Sequence, residues 1–219
     1  MKQLLVAIHG FGDMRRQNFR NLQAWVKGKD YELLTFDLYE MEAHPDWIDW
    51  VKKAVKVMQG IDFTKYQVTL LGFSMGGVIA SYLSTKFPIQ KLILIAPAFK
   101  LYGVRQVLKY CHEFNFKEEN TVKLPERDRI LMEYSVELVK LINTLKPYQK
   151  KIQVPLLVIQ GTADDVVPVS AGIQTVHVTA QRQKRLYLIP DGPHELLEDE
   201  RYGRETFAMI DMYMTEVRL

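Results

Sequence analysis

Val68-Thr-Leu-Leu-Gly-Phe-Ser-Met-Gly-Gly-Val-Ile-Ala-Ser-Tyr-Leu83 joins two apolar runs through a serine bracketed by glycines. Val68 to Leu71 has the aliphatic and β-branched content of a buried strand, and Val78 to Leu83 continues as a helix. Between them Gly72, Gly76 and Gly77 keep the flanks of Ser74 small, so that strand and helix can approach while the serine holds an awkward backbone geometry. The alternative is a tight glycine turn with an incidental serine. The strand before it and the helix after it favour the first reading.

The same alternation recurs on both sides of this stretch. Strands are expected at Gln3 to Ile8, Tyr31 to Phe36, Gln67 to Gly72, Lys91 to Ile95, Leu156 to Gln160 and Arg185 to Ile189. Helices are expected at Arg15 to Val26, Asp46 to Met58, Met75 to Lys86, Ser170 to Thr179 and Tyr202 to Glu216. Continuous apolar runs such as Leu92 to Ile95 and Leu156 to Ile159 suit strands covered on both faces, so the pattern predicts an α/β fold with a mainly parallel sheet of about six strands and helices on both faces. The middle of the chain departs from this: Tyr102 to Phe114 and Arg127 to Leu145 read as helices with no strand between them, an insertion after the fourth strand. At 219 residues and 47% apolar content, 1–219 reads as a single domain with one full core.

Composition narrows the function classes. Twenty-nine Lys and Arg against 26 Asp and Glu leave a formal charge of +3 with both signs dispersed, which is no footprint for nucleic acid. The single Cys111 has no partner for an internal disulfide and no neighbouring Cys or His at zinc spacing, so neither a metal nor a cofactor is expected and a reducing cytoplasm fits. The apolar N-terminal run, broken at His9-Gly10, reads as a strand, and no run approaches the roughly 20 apolar residues of a spanning helix. The expectation is a soluble cytoplasmic protein without stable membrane insertion.

In an open parallel sheet the chemistry gathers at the carboxyl ends of the strands, and Ser74 lies at one. A serine hydroxyl needs a base, an orienting carboxylate and donors for a developing oxyanion. His194, in Pro190-Asp-Gly-Pro-His-Glu-Leu196, follows the last strand and falls on the same edge. The acid belongs between the two in chain order, and Gly161-Thr-Ala-Asp-Asp-Val-Val-Pro168 offers Asp164 and Asp165 after another strand. Asp191 and Glu195 are fallback acids, although neighbours in one loop seldom reach the same imidazole nitrogen. His9-Gly-Phe-Gly12 follows the first strand, and the N–H groups of Phe11 and Met75 are the candidate oxyanion hole, the latter at a helix N-terminus. His9 is a competing base, read instead as orienting its loop by hydrogen bonding.

Together, His9 to Gly12, Gly72 to Gly77, Gly161 to Pro168 and Gly192-Pro-His194 resemble the α/β-hydrolase fold superfamily over almost the whole chain, most closely the small bacterial carboxylesterases and monoacylglycerol lipases. The resemblance selects Asp164, because Asp-x-x-Val-Pro is the family's arrangement, and leaves Asp165 to cap a helix or face solvent. It implies Ser74, Asp164 and His194 as a catalytic triad, Phe11 and Met75 as the oxyanion hole, and a small helical cap at about 99–151. The chain starts almost at the His-Gly strand, so the family's usual first two strands are absent. The implied activity is hydrolysis of a small-molecule ester, with short to medium acyl groups or monoacylglycerols under an apolar cap containing Phe99, Leu101, Tyr102, Val104, Val107, Leu108, Tyr110, Phe114 and Phe116. A thioesterase or peptidase of the same fold is the runner-up, and a non-catalytic binding module is the alternative of another class. Exposed apolar residues on the cap leave a homodimer open.

Overall fold

The computed structural model describes residues 1–12, 15–40, 44–103, 105–109 and 124–216, with the side chains of 124–128 excepted. Six strands, β1 (Lys2–Ile8), β2 (Tyr31–Phe36), β3 (Tyr66–Phe73), β4 (Lys91–Ile95), β5 (Leu156–Gly161) and β6 (Lys184–Ile189), form one sheet in the order β2-β1-β3-β4-β5-β6. Every pairing is parallel. Each strand found coincides with an expected one to within a residue at either end.

Alternate side chains of the central strands feed two cores, as the pleat requires. Val6, Ile8, Leu70, Leu92 and Val158 face α2 (Trp47–Gln59), α3 (Met75–Leu83), α4 (Leu124–Leu145) and α5 (Val169–Val178). Leu5, Ala7, Leu71, Ile93 and Ile159 face α1 (Arg20–Val26) and α6 (Glu200–Thr215). α2 buries Trp50, Ala54 and Met58, one stripe at helical spacing, and starts where Asp46 Oδ1 accepts from Ile48 N at 2.8 Å. α6 starts the same way, with Asp199 accepting from Arg201 N and Tyr202 N. Its other end is fixed by Lys91 of β4, whose Nζ donates to the carbonyls of Tyr213 (2.5 Å) and Glu216 (2.9 Å).

Some boundaries differ from expectation. Arg15 to Phe19 is a 3-10 turn, and the α-helix begins only at Arg20. α3 stops at Leu83 rather than Lys86, where the Ser84 and Thr85 hydroxyls donate to the carbonyls of Ser81 and Tyr82. The last helix begins at Glu200, ahead of Tyr202, because Asp199 caps it. Asp165 does not cap α5: Pro168 holds that position and Asp165 lies exposed.

Between β4 and β5 the chain forms a short helical turn at 105–109, then α4 and a 3-10 turn (Lys146–Lys151). α4 packs on α2 and α3 through Leu131, Leu138, Leu141 and Leu145. Of the apolar residues expected there, Phe99 and Val107 are buried and Tyr102 is exposed. Val104, Tyr110, Phe114 and Phe116, with Cys111, lie outside the described residues. Among the described residues no helix is long and apolar enough to cross a membrane.

Candidate active site

Ser74 is the residue on which β3 turns into α3. Its φ of 52° and ψ of −117° place a non-glycine residue in strained backbone, held by Ser74 N donating to Ile95 O at 2.9 Å and by Ser74 O accepting from Gly77 N and Ala98 N. The glycines are required by distance. A Cβ on Gly72 would sit 2.4 Å from Gly76 O, and one on Gly76 would sit 2.0 Å from Ile8 O. Although Ser74 occupies the N-cap position of α3, its hydroxyl caps nothing and is left for another partner.

That partner is His194. The loop after β6 is clasped to the end of β5, where a Cβ on Gly161 would lie 2.2 Å from Gly192 O, and Ala163 N donates to Gly192 O at 3.0 Å. The imidazole is 2% exposed and packs 5.1 Å from the Phe73 ring. His194 Nδ1 lies 2.8 Å from Asp164 Oδ2, and His194 Nε2 lies 3.1 Å from Ser74 Oγ. A carboxylate only accepts, so Nδ1 carries the proton and donates. Nε2 of the neutral ring is then the acceptor facing the serine hydroxyl.

Asp164 is 3% exposed, and its Oδ1 accepts from Val166 N (2.9 Å) and Val167 N (2.7 Å). Three side chains that are 120 and 30 residues apart in the chain thus meet in one hydrogen-bonded row. The fallback acids stand elsewhere. Asp191 is exposed at φ 56°, and both carboxyl oxygens of Glu195 are without a hydrogen-bond partner among the described residues.

The loop after β1 runs beside the serine: a Cβ on Gly10 would be 3.3 Å from Ser74 Cβ. Phe11 is buried in that loop, and Met75 is the first residue of α3, directly after Ser74. His9 is spent on structure. Its Nδ1–H donates to Gly10 O at 2.7 Å, its Nε2 accepts from Leu38 N at 2.9 Å, and burial pushes the imidazole down to about 4. Tyr39 holds the same loop, its hydroxyl accepting from Gly12 N and donating to Gly12 O. Nothing in the sequence marked Tyr39 for this task, since its partner is 27 residues away.

Glu195 is fully enclosed, and burial, with the Glu198 charge adding to it, pushes its carboxyl up to about 8. Glu198 is pushed up to about 7 by burial against the opposing charge of Arg20. A folded-state pKa above the unfolded one stabilises fully below the unfolded value and loses that contribution as pH rises through the folded value. Glu195 therefore costs up to roughly 4 kcal/mol of stability between about pH 5 and 8. Calorimetric melting of Glu195→Gln should show a flatter dependence of Tm on pH over that window. Parallel curves for variant and wild type would refute the assignment.

Residues 120–201 match the family model described as serine aminopeptidase, S33. A search of curated protein sequences returned no match. Among solved structures, the monoacylglycerol lipase of Paleococcus ferrophilus is 16% identical with a TM-score of 0.71, over 96% of this chain and 93% of that one. The metagenome-derived lipolytic enzymes LipS and LipT give 18% identity and a TM-score of 0.76, over 97% and 93%. A soluble variant of the Saccharomyces cerevisiae monoglyceride lipase gives 16% and 0.69, over 98% and 86%. With a six-stranded parallel sheet, helices on both faces and these neighbours, the chain has the α/β-hydrolase fold and resembles the monoacylglycerol lipases and esterases built on it.

Proposed function

We propose that the protein is a serine hydrolase that cleaves carboxylic esters, with short to medium acyl groups or monoacylglycerols as substrates. The observation that carries this reading is the row Ser74 Oγ, His194 Nε2, His194 Nδ1 and Asp164 Oδ2, with contacts of 3.1 and 2.8 Å. Ser74 Oγ attacks the ester carbonyl carbon while His194 Nε2 takes the hydroxyl proton. Asp164 holds the tautomer and offsets the imidazolium charge. The N–H groups of Phe11 and Met75, the second at the positive end of α3, receive the carbonyl oxygen as it gains charge. His194 then passes its proton to the departing alkoxide, which leaves as the alcohol. Water, deprotonated by the same imidazole, attacks the acyl-serine, releases the carboxylate and restores the hydroxyl.

The likeness to lipolytic enzymes and the buried apolar Phe99 and Val107 after β4 support an ester with an apolar acyl group. A peptidase is the second reading, supported by the family model matched over 120–201. Treatment with a fluorophosphonate probe should label the wild type on Ser74, located by peptide mass spectrometry. A chain-length series of chromogenic esters, run with matched thioesters and aminoacyl anilides, should give its highest kcat/KM on an ester. An unlabelled native protein beside a labelled control esterase would overturn the hydrolase reading, and faster turnover of the anilide would replace esterase with peptidase.

A further inference from the structure

β5 reads Leu-Leu-Val-Ile-Gln-Gly, and all six residues are buried. Gln160 is the polar exception, fully enclosed in a strand whose other side chains are aliphatic. It points toward α5, where residue 172 is a glycine: a Cβ there would lie 3.2 Å from both Cβ and Oε1 of Gln160, so the helix leaves room for this side chain. Its Nε2 lies 2.9 Å from Asp164 Oδ2 and 3.4 Å from Val167 O, while Oε1 is buried without a hydrogen-bond partner among the described residues. The amide cannot be turned over, because Oε1 would then face a carboxylate oxygen and two acceptors would be opposed. An enclosed carbonyl left without a donor is costly, and an aliphatic residue at this position would avoid that cost. The return is at Asp164, where Oδ2 receives two donors, Gln160 Nε2–H and His194 Nδ1–H, and Oδ1 receives the amides of Val166 and Val167.

We propose that Gln160 is a positioning residue, its amide N–H fixing the Oδ2 edge of Asp164 so that the carboxylate lies in line with the imidazole of His194. The proposal rests on the hydrolase reading and deepens it. Two anchors on Oδ1 alone allow the carboxylate to pivot about them, whereas a third on Oδ2 sets its plane. The imidazole is oriented through that plane, so the loss of Gln160 acts on the chemical step and leaves substrate binding in place.

Gln160→Leu and Gln160→Met both remove the donor and differ in packing shape. Each is expected to lower kcat about tenfold with KM within about twofold of wild type, as a misplaced catalytic group does. Tm should stay within about 3 °C of wild type or rise, since the unpaired Oε1 goes as well. In the proton NMR spectrum the far-downfield resonance of the His194 Nδ1 proton should shift or broaden in both variants. This readout needs no substrate: a wild type without hydrolase activity would defeat the functional reading and leave the resonance to decide the role of Gln160. Wild-type kcat and an unmoved resonance in both variants would overturn the proposal. So would a loss of kcat that merely tracks a fall in Tm, since that would make Gln160 a packing residue.

Discussion

Ser74→Ala is expected to lower kcat for ester hydrolysis by a factor on the order of 10⁴ to 10⁶, the loss seen when a member of a serine triad is removed. Alanine keeps the Cβ, so the residue at φ 52° faces the same backbone strain and the same crowding as serine. The substitution removes the 3.1 Å hydrogen bond to His194 Nε2 and leaves the backbone hydrogen bonds of residue 74 in place. The variant should therefore fold with near-wild-type circular dichroism and melting, which separates loss of chemistry from loss of structure. His194→Ala should cost about as much, and the double variant little more, because nucleophile and base act as one unit. Turnover by Ser74→Ala within tenfold of wild type would mean that another group attacks the substrate, and the mechanism above would fail.

Gly76→Ala is expected to be the most damaging small substitution for folding. The added methyl would sit 2.0 Å from Ile8 O and 2.6 Å from His9 O, both backbone atoms of the strand end that leads into the loop of Phe11. No rotamer relieves a clash between Cβ and main chain, so α3 and β1 must separate. A cost above roughly 4 kcal/mol follows, among the largest for a single residue. Gly60→Ala is the control. Gly60 ends α2 in right-handed helical backbone with its nearest obstacle 3.4 Å away, and alanine there should be neutral or slightly stabilising. Urea unfolding of the pair measures the difference. A Gly76→Ala midpoint near that of wild type would show that strand and helix can part at little cost, against the geometry described.

The central strands β1, β3, β4 and β5 were legible because burial on both faces demands uninterrupted apolar runs, whereas the edge strands β2 and β6 are only partly buried and were marked by their β-branched, aromatic and aliphatic content between turn signals. Ser74 was legible for a related reason: the crowding that excludes side chains at Gly72 and Gly76 is written directly as glycine. That His194 stands beside Ser74 was legible from chain order, since a loop after the last parallel strand opens on the same edge. Asp164 was not separable from Asp165 by residue type. The family phrase chose it, and the physical difference is a backbone turn that folds the amides of Val166 and Val167 over one carboxylate and leaves the other exposed. The 3-10 turn before α1 was hidden because five residues contain too few periods to tell it from the first turns of an α-helix. Gln160 was not marked by the sequence, where it reads simply as the polar end of the expected strand Leu156 to Gln160. Its partner is defined only once the loop after β5 curls back over the strand end.

Among the described residues β6 is joined to the sheet along one side only, through β5, and it carries the loop of His194. β3, which leads into Ser74, is by contrast flanked by β1 and β4. The two halves of the Ser74–His194 contact thus hang on unequal supports, one on a strand paired along both sides and the other on a loop whose strand has a single neighbour.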